Sequence, residues 1–327
     1  MMLDVPTVDL SPYFTGSQEH KQAVARRVAE ACEGIGFFKI VGHGIAQSEI
    51  DQAFDVATRF FDLPEAEKAK SRPPMSSSAR GYHALLTKNL AKTIGKNNPP
   101  DLREQFYIGP LISRGAEFAH IPGAGDLYAE NIWPVAPADY CPVFSGYYQA
   151  KEALGQSLMR IFAIALDLPE NYFDDKVDRH FSTLPANHYP TPDGDALPNQ
   201  IRAGEHTDFG SLTILGLSDA PGGLQVKTRG GDWIDVTASR DEFIVNIGDM
   251  MQRWTNDRWL SNLHRVVNPP SDRRTSSRRM SIGYFLHPNY DAEIACIPSC
   301  CGADNPPRHP PVRAGDMMRR KLEARAA

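Results

Sequence analysis

The chain has no continuous apolar run long enough for a membrane-spanning helix, so a helical transmembrane protein is excluded. Its opening, Met1-Met2-Leu3-Asp4-Val5-Pro6, lacks the basic region and apolar core of a secretory signal, and the expected location is cytoplasmic. Excess basic charge is absent too: 35 Lys and Arg stand against 40 Asp and Glu, for a formal net charge of −5. That excludes a broad nucleic-acid-binding face and leaves only local basic clusters such as Arg273 to Arg279. Cysteine is scarce, with five residues at irregular spacing. Cys296-x-x-x-Cys300-Cys301 has neither a CxxC partner nor a histidine at zinc-finger spacing, so free thiols are expected, not a disulfide framework or structural zinc. There is no internal repeat or low-complexity segment. What is present, 41% hydrophobic and 23% charged residues over 327 positions, is the composition of a globular protein with one large core or two modest ones.

Val5 to Leu10 alternates apolar and polar residues and suits a short strand. From Ser17, Val24, Val28, Ala29 and Cys32 recur at helical spacing until Gly34 and Gly36. Phe37-Phe38-Lys39-Ile40-Val41 reads as a buried strand, Ser48 to about Leu63 as a helix, and Val143 to Leu168 as a third helix with one buried face. Residues 72–103 read as a long loop with some helix around Leu85 to Lys92, and long loops of this kind often cover active sites. After about residue 180, short β-rich runs separated by Gly, Pro, Asn or Asp predict strands. They span Ser211 to Leu217, Leu224 to Lys227, Trp233 to Val236, Phe243 to Ile247, His264 to Val267 and Met280 to Leu286. This spacing suggests an antiparallel sandwich or barrel, and Lys321 with Leu322 suggests a final helix.

The strongest chemical signal is His206-Thr207-Asp208. On a strand, residues two apart share a face, so an imidazole and a carboxylate would project together. A third candidate, His264, lies 58 positions further on, far enough for intervening strands to return the chain to the same barrel mouth. Two histidines and one carboxylate leave coordination positions open, as in the facial triad of non-haem Fe(II) oxygenases. Zinc accepts the same ligand types, so a hydrolytic site stays open at this point. Arg279 and Ser281 would share a strand face where a guanidinium beside a hydroxyl can bind a carboxylate. Against that stands a solvated loop, since Arg273, Arg274, Arg278 and Arg279 form a charge run. Asn187-His188-Tyr189-Pro190 can bring an amide and a phenol to the same pocket.

Taken in order, these segments resemble the isopenicillin N synthase-like branch of the 2-oxoglutarate/Fe(II)-dependent dioxygenases. The likeness also uses Gly36 to Gly44, Asn131-Ile132-Trp133-Pro134, Gly222-Gly223-Leu224-Gln225-Val226, Asn246-Ile247-Gly248-Asp249 and Thr255-Asn256. The resemblance implies a mainly β protein with a helical N-terminal part, its core a double-stranded β-helix (a distorted jelly-roll barrel) flanked by helices. It implies one catalytic unit over 1–327: a helical and strand region at 1–175 carrying a lid loop at about 72–103, then a barrel at 176–327 that binds Fe(II) and 2-oxoglutarate. Iron ligation then falls to His206, Asp208 and His264. Arg279 and Ser281 would take the distal carboxylate of 2-oxoglutarate with help from Tyr189, and Asn187 would line the co-substrate pocket. The implied reaction uses O₂ to oxidise, by default to hydroxylate, a small organic substrate, with release of succinate and CO₂. Partners are that small molecule and O₂, with no nucleic acid and no membrane, and no oligomeric state is implied.

Other residues have plainer readings. His188 would face away from Asn187 and Tyr189, His43 marks a strand end, and Asn246 with Asp249 would form a turn. Trp254, Phe209, Phe285 and Leu215 read as core. Arg80, in the lid segment, is either a surface residue or a contact for an anionic substrate group. Two further functions remain open at this stage: a 2-oxoglutarate-independent oxidase of the isopenicillin N synthase kind, and an inactive small-molecule-binding barrel.

Overall fold

The computed structural model describes residues 5–75, 78–191, 194–221 and 223–326. Met1 to Asp4, Gly222 of the glycine pair and the side chain of Arg274 lie outside the described residues. The first half of the chain supplies β1 (Thr7–Asp9), β2 (Phe37–Val41), β3 (Gly81–His83) and β4 (Glu104–Ile108). The second half supplies β5 (Leu184–Tyr189), β6 (Ala203–His206), β7 (Leu212–Leu217), β8 (Leu224–Lys227) and β9 (Trp233–Val236). It continues with β10 (Phe243–Ile247), β11 (His264–Val266), β12 (Arg279–Leu286), β13 (Glu293–Ile294) and β14 (Val312–Arg313).

One eight-stranded sheet runs β1-β2-β10-β7-β12-β5-β4-β3, and a four-stranded sheet runs β6-β11-β8-β9. Strands from both halves of the chain therefore share the large sheet. Pairing is antiparallel except between β1 and β2. The two-residue period of a strand then sorts side chains between two environments. Ile214, Val245, Ile282 and Tyr284 enter the larger core. Their neighbours Thr213, Leu215, Asn246 and Ser281 line the space between the two sheets.

Three helices, Gln18–Gly34, Gln47–Phe61 and Tyr140–Ala165, pack on the outer face of the large sheet. The first starts where the Ser17 hydroxyl accepts the His20 N–H at 3.4 Å, and buries Val24, Val28 and Cys32 on one side. It stops before Gly36, whose φ of +73° and approach to Leu260 O, 2.1 Å from where a Cβ would stand, leave no room for a side chain. The third ends with Asp167 in the left-handed region (φ 57°) and the Leu168 N–H bonded to Ala163 O at 2.9 Å, which satisfies orphan carbonyls of the last turn.

Residues 72–103 are less irregular than expected. The segment contains β3 and a 3-10 helix at Leu90–Ile94 in place of a helix at Leu85 to Lys92. β4 follows directly and was not expected. Its Glu104-Gln105 start is polar, yet Glu104 is buried by Lys68 and His188 and Gln105 faces a cavity. The final helix spans Ala314–Ala326.

Candidate active site

His206 ends β6 and His264 begins β11, and the two are directly paired across the small sheet. Their rings lie 4.2 Å apart, and each Nε2 faces Asp208 Oδ1, at 3.8 Å from His206 and 3.6 Å from His264. All three candidate ligand atoms fall within 4.8 Å of one another. The other ring nitrogens are engaged: His206 Nδ1 meets Gly204 O at 2.8 Å, and His264 Nδ1 meets Asn262 O at 3.1 Å. A carbonyl only accepts, so each Nδ1 carries the proton and each Nε2 offers a lone pair to the centre of the group.

Asp208 is not on the strand with His206, as its spacing suggested. β6 ends at His206, and Asp208 stands in the loop before β7. Side chains of β7 and β10 hold the carboxylate there. Oδ2 accepts Thr213 Oγ1 at 2.6 Å and Asn246 Nδ2 at 2.7 Å, leaving Oδ1 for the histidine side. The Asp249 N–H donates to Asp208 O at 2.8 Å. Gly248 packs so closely that a Cβ there would stand 2.1 Å from Gly210 O. Asn246 is thus a buried strand residue that aims the carboxylate, and Asp249 starts a short helix; neither forms the expected turn.

Deeper between the sheets, β12 pairs with β5 so that Arg279 is opposite Tyr189 and Ser281 opposite Asn187. These four residues and the three metal-ligand candidates line one cavity of about 50 Å³. Arg279 is no solvated loop residue: it is 3% exposed, and its Nη1 is buried without a partner. Burial lowers its pKa, and the neighbouring Tyr189 ring, 5.4 Å from the guanidinium carbon, opposes that shift. Arg202, also buried, lies on the same ring at 5.8 Å and adds like charge. A buried guanidinium with an unpartnered nitrogen beside a hydroxyl is a receptor for a carboxylate.

A second cavity of about 120 Å³ shares Arg103, Asn187, His206, Asp208 and Phe285 with the first, so the two meet at the triad. Phe181, Phe209 and Phe285 give it aromatic walls, and Met318 and Leu322 of the final helix line it too. Phe209, Phe285 and Leu215 thus face cavities, whereas Trp254 is core, its Nε1 on Glu293 O at 3.1 Å. Arg80 lines this cavity but is 1% exposed. Its Nε, Nη1 and Nη2 donate to the carbonyls of Ala129, Ala79 and Leu127 at 2.8–2.9 Å. His287, also lining the cavity, is pushed down to about 3 by burial, against the charge of Asp208, and is neutral.

Sequence reasoning missed Asp101, Arg103 and Gln105 as site residues. Asp101 accepts the Gly204 N–H at 3.0 Å and the Leu90 N–H at 3.2 Å, and pairs with Arg103 at 3.2 Å. It thereby ties the 3-10 helix to the strand carrying His206. The available signal was the alternation Arg103, Gln105, Tyr107, all facing one cavity. His43 and His188 stay outside the site, His43 bonded to Asp241 O at 3.1 Å and His188 to Glu104 at 2.8 Å.

Two imidazole nitrogens and a carboxylate oxygen at this spacing, open on one side to a cavity, could hold a metal ion, and they are the ligand types of the facial triad of non-haem iron proteins. Residues 5–136 match the family model "non-haem dioxygenase in morphine synthesis N-terminal", and residues 180–288 match "2OG-Fe(II) oxygenase superfamily". The chain is 35% identical to a 2-oxoglutarate-Fe(II) type oxidoreductase, hxnY, of Emericella nidulans, covering 96% of this chain and 88% of that one. The crystal structure of full-length Neurospora crassa T7H with alpha-KG is similar at a TM-score of 0.84 and 30% identity, covering 98% of this chain and 96% of that one. The same protein has been solved with alpha-KG and thymine. A 2OG-Fe(II) oxygenase family protein from Caulobacter crescentus gives a TM-score of 0.82 at 31% identity, covering 98% of each chain.

This chain belongs to the 2OG-Fe(II) oxygenase superfamily. It is an enzyme that uses Fe(II) and 2-oxoglutarate, on a double-stranded β-helix flanked by helices. The 2-oxoglutarate-independent oxidase and the inactive barrel gain no support from these likenesses.

Proposed function

We propose that His206, Asp208 and His264 hold the iron, and that Arg279 and Ser281 bind the distal carboxylate of 2-oxoglutarate. Tyr189 packs against the guanidinium, and Asn187 closes the pocket wall through its 3.3 Å bond to Ser281. The observation that carries this reading is the buried Arg279 Nη1 without a partner, in the same cavity as the triad. Bound iron supplies O₂ activation coupled to conversion of 2-oxoglutarate to succinate and CO₂. The chain's own residues do the rest. Thr213 and Asn246 fix the carboxylate that faces the metal, Arg279 supplies the charge that seats the co-substrate, and Phe181, Phe209 and Phe285 keep water from the reacting carbon. The product we assign is a hydroxylated small molecule, and its parent enters the outer cavity lined by Ala79, Arg80, Leu90 and Arg103 and by Met318 and Leu322 of the final helix.

A cavity of about 120 Å³ is on the order of the 150 Å³ engineered cavity that takes up benzene, which suits a single ring. Thymine, held by the Neurospora crassa T7H, is one such ring. Free thiols at all five cysteines fit a reducing compartment, and we read the protein as cytoplasmic.

Anaerobic Fe(II) titration with and without 2-oxoglutarate tests the assignment. The expected result is a visible charge-transfer band that is absent in His206→Ala and weakened in Arg279→Met. A band of full strength in both variants would sink it.

A further inference from the structure

Two side chains that line the outer cavity, Arg103 and Gln105, each keep one buried hydrogen-bonding atom without a partner. Gln105 cannot turn its amide freely, because Nε2 donates to Asn187 Oδ1 at 2.6 Å; its Oε1 is buried and has no partner. Arg103 is also held, with Nη2 on Asp101 Oδ2 at 3.2 Å and Nη1 on Asn187 Oδ1 at 3.4 Å; its Nε is buried and has no partner. Both tips meet on the same Asn187 oxygen, so the spare acceptor and the spare donor sit on adjacent groups. A buried polar atom without a partner costs free energy, and a ligand that pairs with both atoms would recover it.

Charge narrows the ligand class. Arg103 is neutralised by Asp101, and all three guanidinium nitrogens of Arg80 are occupied by main-chain carbonyls. Neither cation in this wall calls for an anion. The fixed pair calls for a carbonyl beside an N–H, and the aromatic lining calls for a flat body.

We propose that the substrate is a neutral, planar ring with a cyclic amide edge. Its C=O accepts from Arg103 Nε and its adjacent N–H donates to Gln105 Oε1. Because His206 and Asp208 bound the same cavity, a ring held by that edge at β4 turns its opposite side to the triad. Arg103 and Gln105 are then the residues that set specificity. This rests on the reading of the outer cavity as the substrate site.

The test uses the full chain with Fe(II) and 2-oxoglutarate, and begins by recording the visible band. Its absence in the unaltered protein overturns the underlying assignment, not the amide edge alone. Succinate release is then measured with 2-pyridone, uracil, thymine and hydantoin, each against its N-methylated counterpart. At least one parent amide is expected to stimulate release by about tenfold over its methylated form, a site built around a hydrogen bond rejecting the analogue that lacks it. Gln105→Leu and Gln105→Met are each expected to bring that ratio near one, a readout independent of the variant's own basal rate. The proposal is overturned if no parent amide stimulates, if the methylated forms do equally well, or if both folded variants keep the ratio.

Discussion

Replacing Arg279 with methionine should have opposite effects on the free and the liganded enzyme. In the free protein the guanidinium is 3% exposed, Nη1 has no partner, and no carboxylate pairs with it among the described residues. Arg202 lies on the same Tyr189 ring, so like charges share the pocket. Removing one of them relieves a buried, unsatisfied polar group, a gain of about 1–3 kcal/mol. Melting measured by scanning fluorimetry without co-substrate should therefore rise, by roughly 2 °C for each kcal/mol. With 2-oxoglutarate the sign reverses. The variant leaves the incoming carboxylate buried without its cation, a loss of about 3–5 kcal/mol, or roughly 150- to 4,000-fold in KM for 2-oxoglutarate. The stabilisation by ligand that the unaltered protein shows should vanish at ordinary concentrations. Rate at saturating 2-oxoglutarate should fall much less, because Arg279 does not touch the ligand atoms of the triad. A free-protein melting point that drops would make Arg279 a structural residue. A KM shifted by less than about tenfold would mean that the carboxylate binds elsewhere.

Asn246→Ala removes one of two bonds to Asp208 Oδ2 and should weaken Fe(II) binding about 10- to 100-fold in an anaerobic titration; unchanged affinity would show that Thr213 alone suffices. Lys321→Ala breaks a 2.8 Å pair between the final helix and Asp249, which also holds Thr207 and Ser261. The pair is partly exposed, so the expected cost is at most about 1 kcal/mol, seen as a few-fold rise in substrate KM with 2-oxoglutarate KM unmoved. Glu104→Gln strips the carboxylate from buried Lys68, 2.7 Å away, and should lower stability by about 3 kcal/mol in denaturant, the low end because Glu65 lies 3.5 Å from the same amine. Burial raises the Glu104 pKa, but bonds from His188, Lys68 and Tyr82 outweigh it and hold the group below its ordinary 4.5. Its contribution is therefore complete above pH 4.5 and lost as pH falls through the lower folded value, and Glu104→Gln should flatten that acid limb of the stability profile.

What the sequence made legible, and what it hid, follows one physical division. Apolar periodicity located the long helices and most barrel strands within a few residues, because each buries a face against the large sheet. The triad was readable as residue types, but its geometry was not. His206 and His264 meet only because β11 returns beside β6, and Asp208 leaves the strand because Thr213 and Asn246 hold it from β7 and β10. β4 was hidden for the opposite reason. Its apolar stripe is only Phe106 and Ile108, and the polar Glu104 and Gln105 at its start, one in a buried ion pair and the other toward the cavity, mask the strand pattern. Arg279 was equally ambiguous, since two arginine pairs, 273–274 and 278–279, describe a solvated loop as well as a receptor. Three-dimensional context resolves it, because Ser281 and the apolar run after it draw the first turn of β12 into the space between the sheets. In such a fold the polar residues to which we assign a function are those that turn inward. Arg103, Gln105, Asn187, Thr213, Asn246 and Arg279 all do so, and all line the two cavities that meet at the triad.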